Sequence, residues 1–73
     1  MATLDVKGLK CPLPVLKANK MLRGLEAGTV LEIDATDPGA VADFKVFCET
    51  TGHILVESTE ADGVYSFKIR KDG

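Results

Sequence analysis

Strand-like runs in this 73-residue chain mostly alternate apolar with polar, leaving one apolar face, and that constrains its fold more than any other feature. In TLDVK (3–7), Leu4 and Val6 alternate with Thr3, Asp5 and Lys7. In TVLEIDAT (29–36), Leu31, Ile33 and Ala35 oppose Glu32 and Asp34. HILVESTEA (53–61) forms a third run, and in VYSFKIRK (64–71) Tyr65, Phe67 and Ile69 alternate with Ser66, Lys68 and Arg70. A period of two marks a strand with one covered and one wet face. Two intervening segments switch to helical spacing. Over residues 12–26, Val15, Ala18, Leu22 and Leu25 share a face while Lys17, Lys20 and Arg23 point elsewhere. The second helix starts at DPGA, with Asp37 as N-cap and Pro38 in the first turn. Val41, Phe44, Cys48 and Thr51 lie along its apolar face, Phe47 sits at the edge, and Gly52 stops it. Asp62-Gly63 reads as a two-residue hairpin turn.

The element order is therefore βαβαββ. Strand–helix–strand units cross over right-handed and leave their strands parallel, whereas the closing hairpin must be antiparallel, so the sheet is mixed. With one sheet face wet, both helices must cover the other. The expected fold is α+β: an α/β two-layer sandwich with a mixed four-stranded sheet and two helices packed on one face. It is expected to form a single domain spanning 1–73.

Composition removes several functions. The net charge of −2 gives no clustered Lys and Arg for phosphate, so no direct nucleic-acid partner is expected. RNA binding on the sheet would also want exposed strand aromatics, which the pattern does not offer. The apolar runs are too short to span a membrane. MATLDVK lacks the charged and apolar regions of a secretory signal, so the expected compartment is the cytoplasm. In that reducing setting Cys11 and Cys48, 37 positions apart, should not form a disulfide. There is no CxxC, and His53 is the single histidine, so neither a metal site nor a cofactor is expected.

The stretch GLKCPLPVL (8–16) carries the chemistry. A residue before proline is pushed out of the helical region, so Cys11 should sit at the N-cap, with Pro12 at N1 and Pro14 at N3. That leaves the N–H groups of Leu13 and Val15 free at the helix start. A helix N-terminus favours an anion, and a cysteine placed there has a lowered pKa. Lys7 and Lys10 add positive charge, and Asp5 offsets some of it. The expectation is an exposed Cys11, partly ionised near neutral pH. Gly8 supplies the turn before the corner. Without a second nearby cysteine or a positioned base, the corner suits a thiolate that accepts and hands on a group, not a hydrolase. Cys48, mid-helix on the apolar stripe, reads as core packing. His53 at a strand start reads as a hydrogen-bonding residue.

These residues resemble the TusA/SirA family of small sulfur carriers. The likeness rests on LDVKGLKCPLPVL (4–16), DATDP (34–38), FCETTGH (47–53) and SFKIRK (66–71), and it covers essentially the whole chain. The Cys-Pro-x-Pro corner is its most specific element. The resemblance implies a βαβαββ sandwich and a carrier, not an enzyme, in which Cys11 holds sulfane sulfur as a persulfide. It implies loading by a cysteine desulfurase or a rhodanese-like sulfur donor and delivery to a downstream sulfur-accepting protein. Family routes include 2-thiolation of the tRNA wobble uridine, molybdenum cofactor assembly and sulfur oxidation. Pro12, Leu13, Pro14, Gly8 and Asp37 are the expected supporting residues, and Lys10, Lys17, Lys20 and Arg23 a candidate docking rim on a carrier that is a monomer when free. Leu13 departs from the Glu that tRNA-thiolation members resemble at this point, which weakens that route. The competing reading is a regulatory or adaptor module in which Cys11 senses redox state.

Overall fold

The computed structural model describes residues 2–72; Met1 and Gly73, the two ends of the expected 1–73 domain, lie outside the described residues. The elements follow the expected order: β1 (Ala2–Val6), α1 (Leu13–Arg23), β2 (Val30–Ala35), α2 (Ala40–Thr51), β3 (Ile54–Ala61) and β4 (Val64–Arg70). The strands form one mixed sheet in the order β1-β2-β4-β3. β1 and β2 are parallel, with Leu4 opposite Ile33 and Val6 opposite Ala35. β4 runs antiparallel to both β2 and β3. The hairpin turn is Asp62-Gly63, both at positive φ (52° and 82°), the conformation that a two-residue primed turn demands.

One face of the sheet carries the core. Val6, Leu31, Ile33, Ala35, Phe67 and Ile69 point into it and meet Ala18 and Leu22 of α1 and Ala40, Phe44, Phe47 and Cys48 of α2. Both helices lie on this face, so the architecture is the expected two-layer α+β sandwich. The other face is wet. There Lys68 bridges Glu32 and Glu57 (3.8 and 3.2 Å), and the Ser66 hydroxyl donates to Asp34 (2.8 Å).

The details differ at the helix ends. α1 stops at Arg23, not at residue 26, because the amides of Gly24 and Leu25 fold back onto the carbonyls of Met21 and Leu22 in tighter i→i−3 bonds. α2 starts at Ala40 with Gly39 as N-cap, so Asp37 is not its N-cap. The Ala40 amide bonds to the Asp37 carbonyl, and the first i→i−4 bond runs from Asp43 to Gly39. Pro38 and Gly39 are the turn that precedes the helix. The apolar stripe of α2 is also rotated. It runs through Ala40, Phe44, Phe47 and Cys48, and Val41 and Thr51 are exposed. Burying Phe47 removes more apolar area than burying Val41, and only one of the two can face the sheet. Gly52 ends α2 as expected, at φ 86°, with its amide on the Cys48 carbonyl.

β3 is an edge strand with a bulge between Leu55 and Glu57. The extra residue, Val56, is 56% exposed, and only Leu55 of this strand packs against the core. A bulge twists an edge away from flat pairing and so protects it.

Candidate functional site: the Cys11 corner

The corner is built where three segments meet: the turn after β1, the start of α1 and the start of α2. Gly8 follows β1 at φ 84° and donates its amide to Thr36 Oγ1 (2.9 Å). An added Cβ there would meet no neighbour, so the glycine is required by its backbone conformation and not by space. The turn brings Lys10 and Cys11 alongside the Thr36–Pro38 segment, and together they line a shallow depression.

The Cys11–Pro12 peptide is cis. Pro12, not Cys11, is the N-cap of α1, and Pro14 is at N2 and fully buried. Cys11 thus lies one residue further from the helix than its sequence position suggested. The Leu13 amide is not free either, since it bonds to the Lys10 carbonyl (2.9 Å). The prolines still anchor the corner, Pro14 by packing and Pro12 by opening the helix at its first i→i−4 bond, Leu16 to Pro12.

The turn before α2 and the first turn of α2 supply the polar partners of Cys11. Asp37 accepts the Cys11 amide on Oδ2 (2.7 Å) and the Gly39 amide on Oδ1 (3.2 Å). These two bonds, with Lys10 nearby, hold the Asp37 carboxyl below its ordinary range. The Cys11 thiol, exposed at the surface, donates to Asp43 Oδ2. The expected lowering of the Cys11 pKa is therefore overturned. The hydrogen bond to Asp43, then loss of water, then the negative charges of Asp43 and Asp37 raise it above its ordinary value. A carboxylate favours the protonated thiol over the thiolate by charge alone. Sγ is hydrogen-bonded to Asp43 of α2, and no bond between it and an α1 amide is seen among the described residues.

Beside the thiol runs an apolar depression of about 350 Å³, lined by Cys11, Pro12, Val15, Val46 and Phe47, with Asp43, Thr50 and Thr51 around it. Leu13 and Leu16 stand exposed on α1 (46% and 56%). The expected basic rim does not gather here. Lys17 and Lys20 border a separate depression with Leu4, Met21 and Gly24. Arg23 is exposed at the far end of α1. Lys10 lines a depression together with Cys11.

Cys48 is buried in the core and its thiol is pushed up by burial. His53 accepts the Asp72 amide on Nδ1 (3.1 Å) and tilts against Phe47 (ring centroids 5.8 Å apart). Neither residue joins the corner. Asp43 is the residue that sequence reasoning missed. An acidic residue in a first helical turn is accounted for by the helix dipole, and nothing local ties it to a cysteine 32 positions away.

This arrangement has relatives. The family model described as "Sulfurtransferase TusA" matches residues 2–71. The chain is 52% identical over 68 residues to a putative sulfur carrier protein of Neisseria meningitidis, covering 93% of this chain and 92% of that one. It is 50% identical over 68 residues to the sulfur carrier protein TusA of Allochromatium vinosum, covering 93% and 90%. A SirA-like protein of Desulfitobacterium hafniense, known from a crystal structure, superposes with a TM-score of 0.87 at 32% identity over the whole of both chains. With a family model matched over nearly the whole chain and relatives this similar over this length, the chain belongs to the TusA family.

Proposed function

We propose that this protein is a sulfur carrier whose Cys11 accepts sulfane sulfur as a persulfide and passes it to an acceptor protein. The observation that carries this reading is the exposed Cys11 thiol, on a backbone held by the two prolines that follow it and by the Asp37 carboxylate on its amide. A carrier needs a sulfur that partners can reach from outside, on a backbone that does not move between partners. Pro12, Pro14, Gly8 and Asp37 supply the fixed backbone. The relatives named as sulfur carriers support the same chemistry. A persulfide is a reversible cap on a cysteine, so the protein is consumed and regenerated in each transfer and does not turn over substrate alone.

The partners are a sulfur donor, either a cysteine desulfurase or a rhodanese-like protein, and a sulfur-accepting protein, in a reducing compartment such as the cytoplasm. Each must bring a reactive cysteine to Sγ. The apolar depression beside Cys11 and the exposed Leu13 provide the surface against which such a loop packs.

The test is intact mass spectrometry after incubation with a cysteine desulfurase and free cysteine. Wild type and Cys48→Ser are expected to gain one sulfur atom and lose it on reduction, and Cys11→Ser to gain none. If Cys11 alkylates readily yet takes sulfur from neither a desulfurase nor a rhodanese-like donor, the adaptor reading replaces this one.

A further inference from the structure

Asp43 is the one side chain whose polar atom touches Sγ of Cys11 among the described residues, and the carrier role as such assigns it nothing. From this contact we infer that Asp43 is a catalytic residue for sulfur transfer, shuttling the thiol proton as Cys11 takes sulfur from a persulfide. The inference rests on the carrier reading above.

The step balances without an oxidant or reductant. Sγ of Cys11 attacks the outer sulfur of a persulfide R–S–SH. The bond from Sγ to the outer sulfur forms as the bond from that sulfur to R–S breaks, and R–S leaves with the electron pair. As the Sγ lone pair enters the new bond, its proton becomes acidic and passes to Asp43 Oδ2, already in hydrogen-bond contact. Asp43 then gives the proton to the departing thiolate. The products are Cys11–S–SH and R–SH. Sulfane transfer in the other direction, to an acceptor thiol, runs the same proton path backwards: the acceptor's proton passes to Asp43 as its sulfur attacks, and Asp43 returns it to Sγ as Sγ leaves.

Geometry supports both halves of this path. In an in-line displacement the leaving sulfur lies about 4 Å from Sγ, two S–S bonds of about 2 Å away. Asp43 and Sγ share the rim of the apolar depression, where the R group of the donor must sit. Asp43 is half-buried and held by the first i→i−4 bond of α2, so its carboxylate approaches Sγ from a fixed base. Asp37 cannot substitute, because both of its oxygens are engaged by backbone amides.

A carboxylate beside a thiol has a second, simpler effect: it suppresses the thiolate. The two roles predict opposite outcomes for Asp43→Asn, which keeps size and a polar atom but accepts no proton. Iodide leaves without needing a proton, so alkylation by iodoacetamide at neutral pH reads how readily Sγ sheds its proton and attacks, and not the proton return. Loading from glutathione persulfide also reads proton return. The expected result is alkylation equal to or faster than wild type, with sulfur loading slower by about tenfold or more. Recovery of loading in Asp43→Glu, which restores the carboxylate, supports the assignment. Faster loading together with faster alkylation, unchanged loading, or equal slowing of both reactions overturns it. Circular dichroism checks that the variant folds, as expected for a substitution outside the core. Failure of the wild type itself to take sulfur removes the carrier reading, and this inference with it, before any Asp43 variant is compared.

Discussion

Two carboxylates reach back from the start of α2 to the Cys11 corner, Asp37 to its backbone and Asp43 to its thiol. The first is a structural clamp with a pH signature. Asp37 has its pKa lowered in the folded state, chiefly by the Cys11 amide, then by the Gly39 amide, with Lys10 helping against desolvation. A lowered folded pKa means that the ionised form is the stabilising one. The stability it contributes is present above its ordinary value of 3.8 and is lost as pH falls through the lower folded value. Asp37→Ala is therefore expected to melt at a lower temperature than wild type at neutral pH. The gap should narrow below pH 3.8 and close in stronger acid. Thermal melts at a series of pH values check this, and a gap that stays constant into strong acid would show that the charge of Asp37 contributes nothing. The same residue shows why the site was only partly legible in the sequence. Asp before Pro and three residues before an apolar run has every mark of an N-cap. Its carboxylate is instead occupied by an amide 26 positions away, and no local pattern encodes such a contact. Cys11 could be read because prolines constrain their own neighbours, whereas Asp43 acts only through tertiary structure.

The elements were legible in proportion to how much of their pattern is periodic. β1, β2 and β4 are legible from alternation alone, since a one-residue slip would turn Leu31, Ile33, Phe67 and Ile69 into water. The single-sided alternation also placed both helices on one face. Helix ends rest on one or two residues, and there the reading slipped: α1 ends at Arg23 and α2 begins at Ala40. The C-terminal end of α2 was the exception because its signal is a backbone conformation that few residues adopt. Gly52 sits at φ 86°, donates its amide to Cys48, and turns the chain toward His53 and β3. An alanine would have to enter the left-handed region, at roughly 1–2 kcal/mol. Nothing but the Asp72 carboxylate approaches the position of its Cβ, so the penalty is conformational and not steric crowding. Urea denaturation of Gly52→Ala is expected to show the unfolding free energy falling by that amount, through a lower midpoint with the slope unchanged. An unshifted midpoint would mean that the end of α2 rearranges freely, contrary to the fixed Phe47–His53 contact beyond it.

At the scale of the molecule, one side chain ties the two layers together. Phe44 is fully buried, packs against Phe67 of β4 at 4.7 Å between ring centroids, and meets Phe47 edge-on at 6.4 Å. It thus couples the sheet to the helix that carries Asp43, one residue before it. Replacing a buried phenylalanine by alanine costs about 3–5 kcal/mol, through lost burial and the cavity left behind. Below roughly 80 residues a single apolar core seldom supplies more than about 3–5 kcal/mol in total. The two magnitudes are equal, so Phe44→Ala should leave a 73-residue chain with almost no net stability, about half unfolded at room temperature before any denaturant is added. Val46, two positions on and 59% exposed, provides the control: Val46→Ala should shift stability by no more than about 0.5 kcal/mol. Urea titrations followed by far-ultraviolet circular dichroism separate the cases. A cooperative Phe44→Ala transition at the wild-type midpoint would mean that the layers are held by something other than this aromatic cluster. Loss of the transition would also carry away the Cys11 corner, because Asp37 and Asp43 hold their places only while α2 is docked on the sheet.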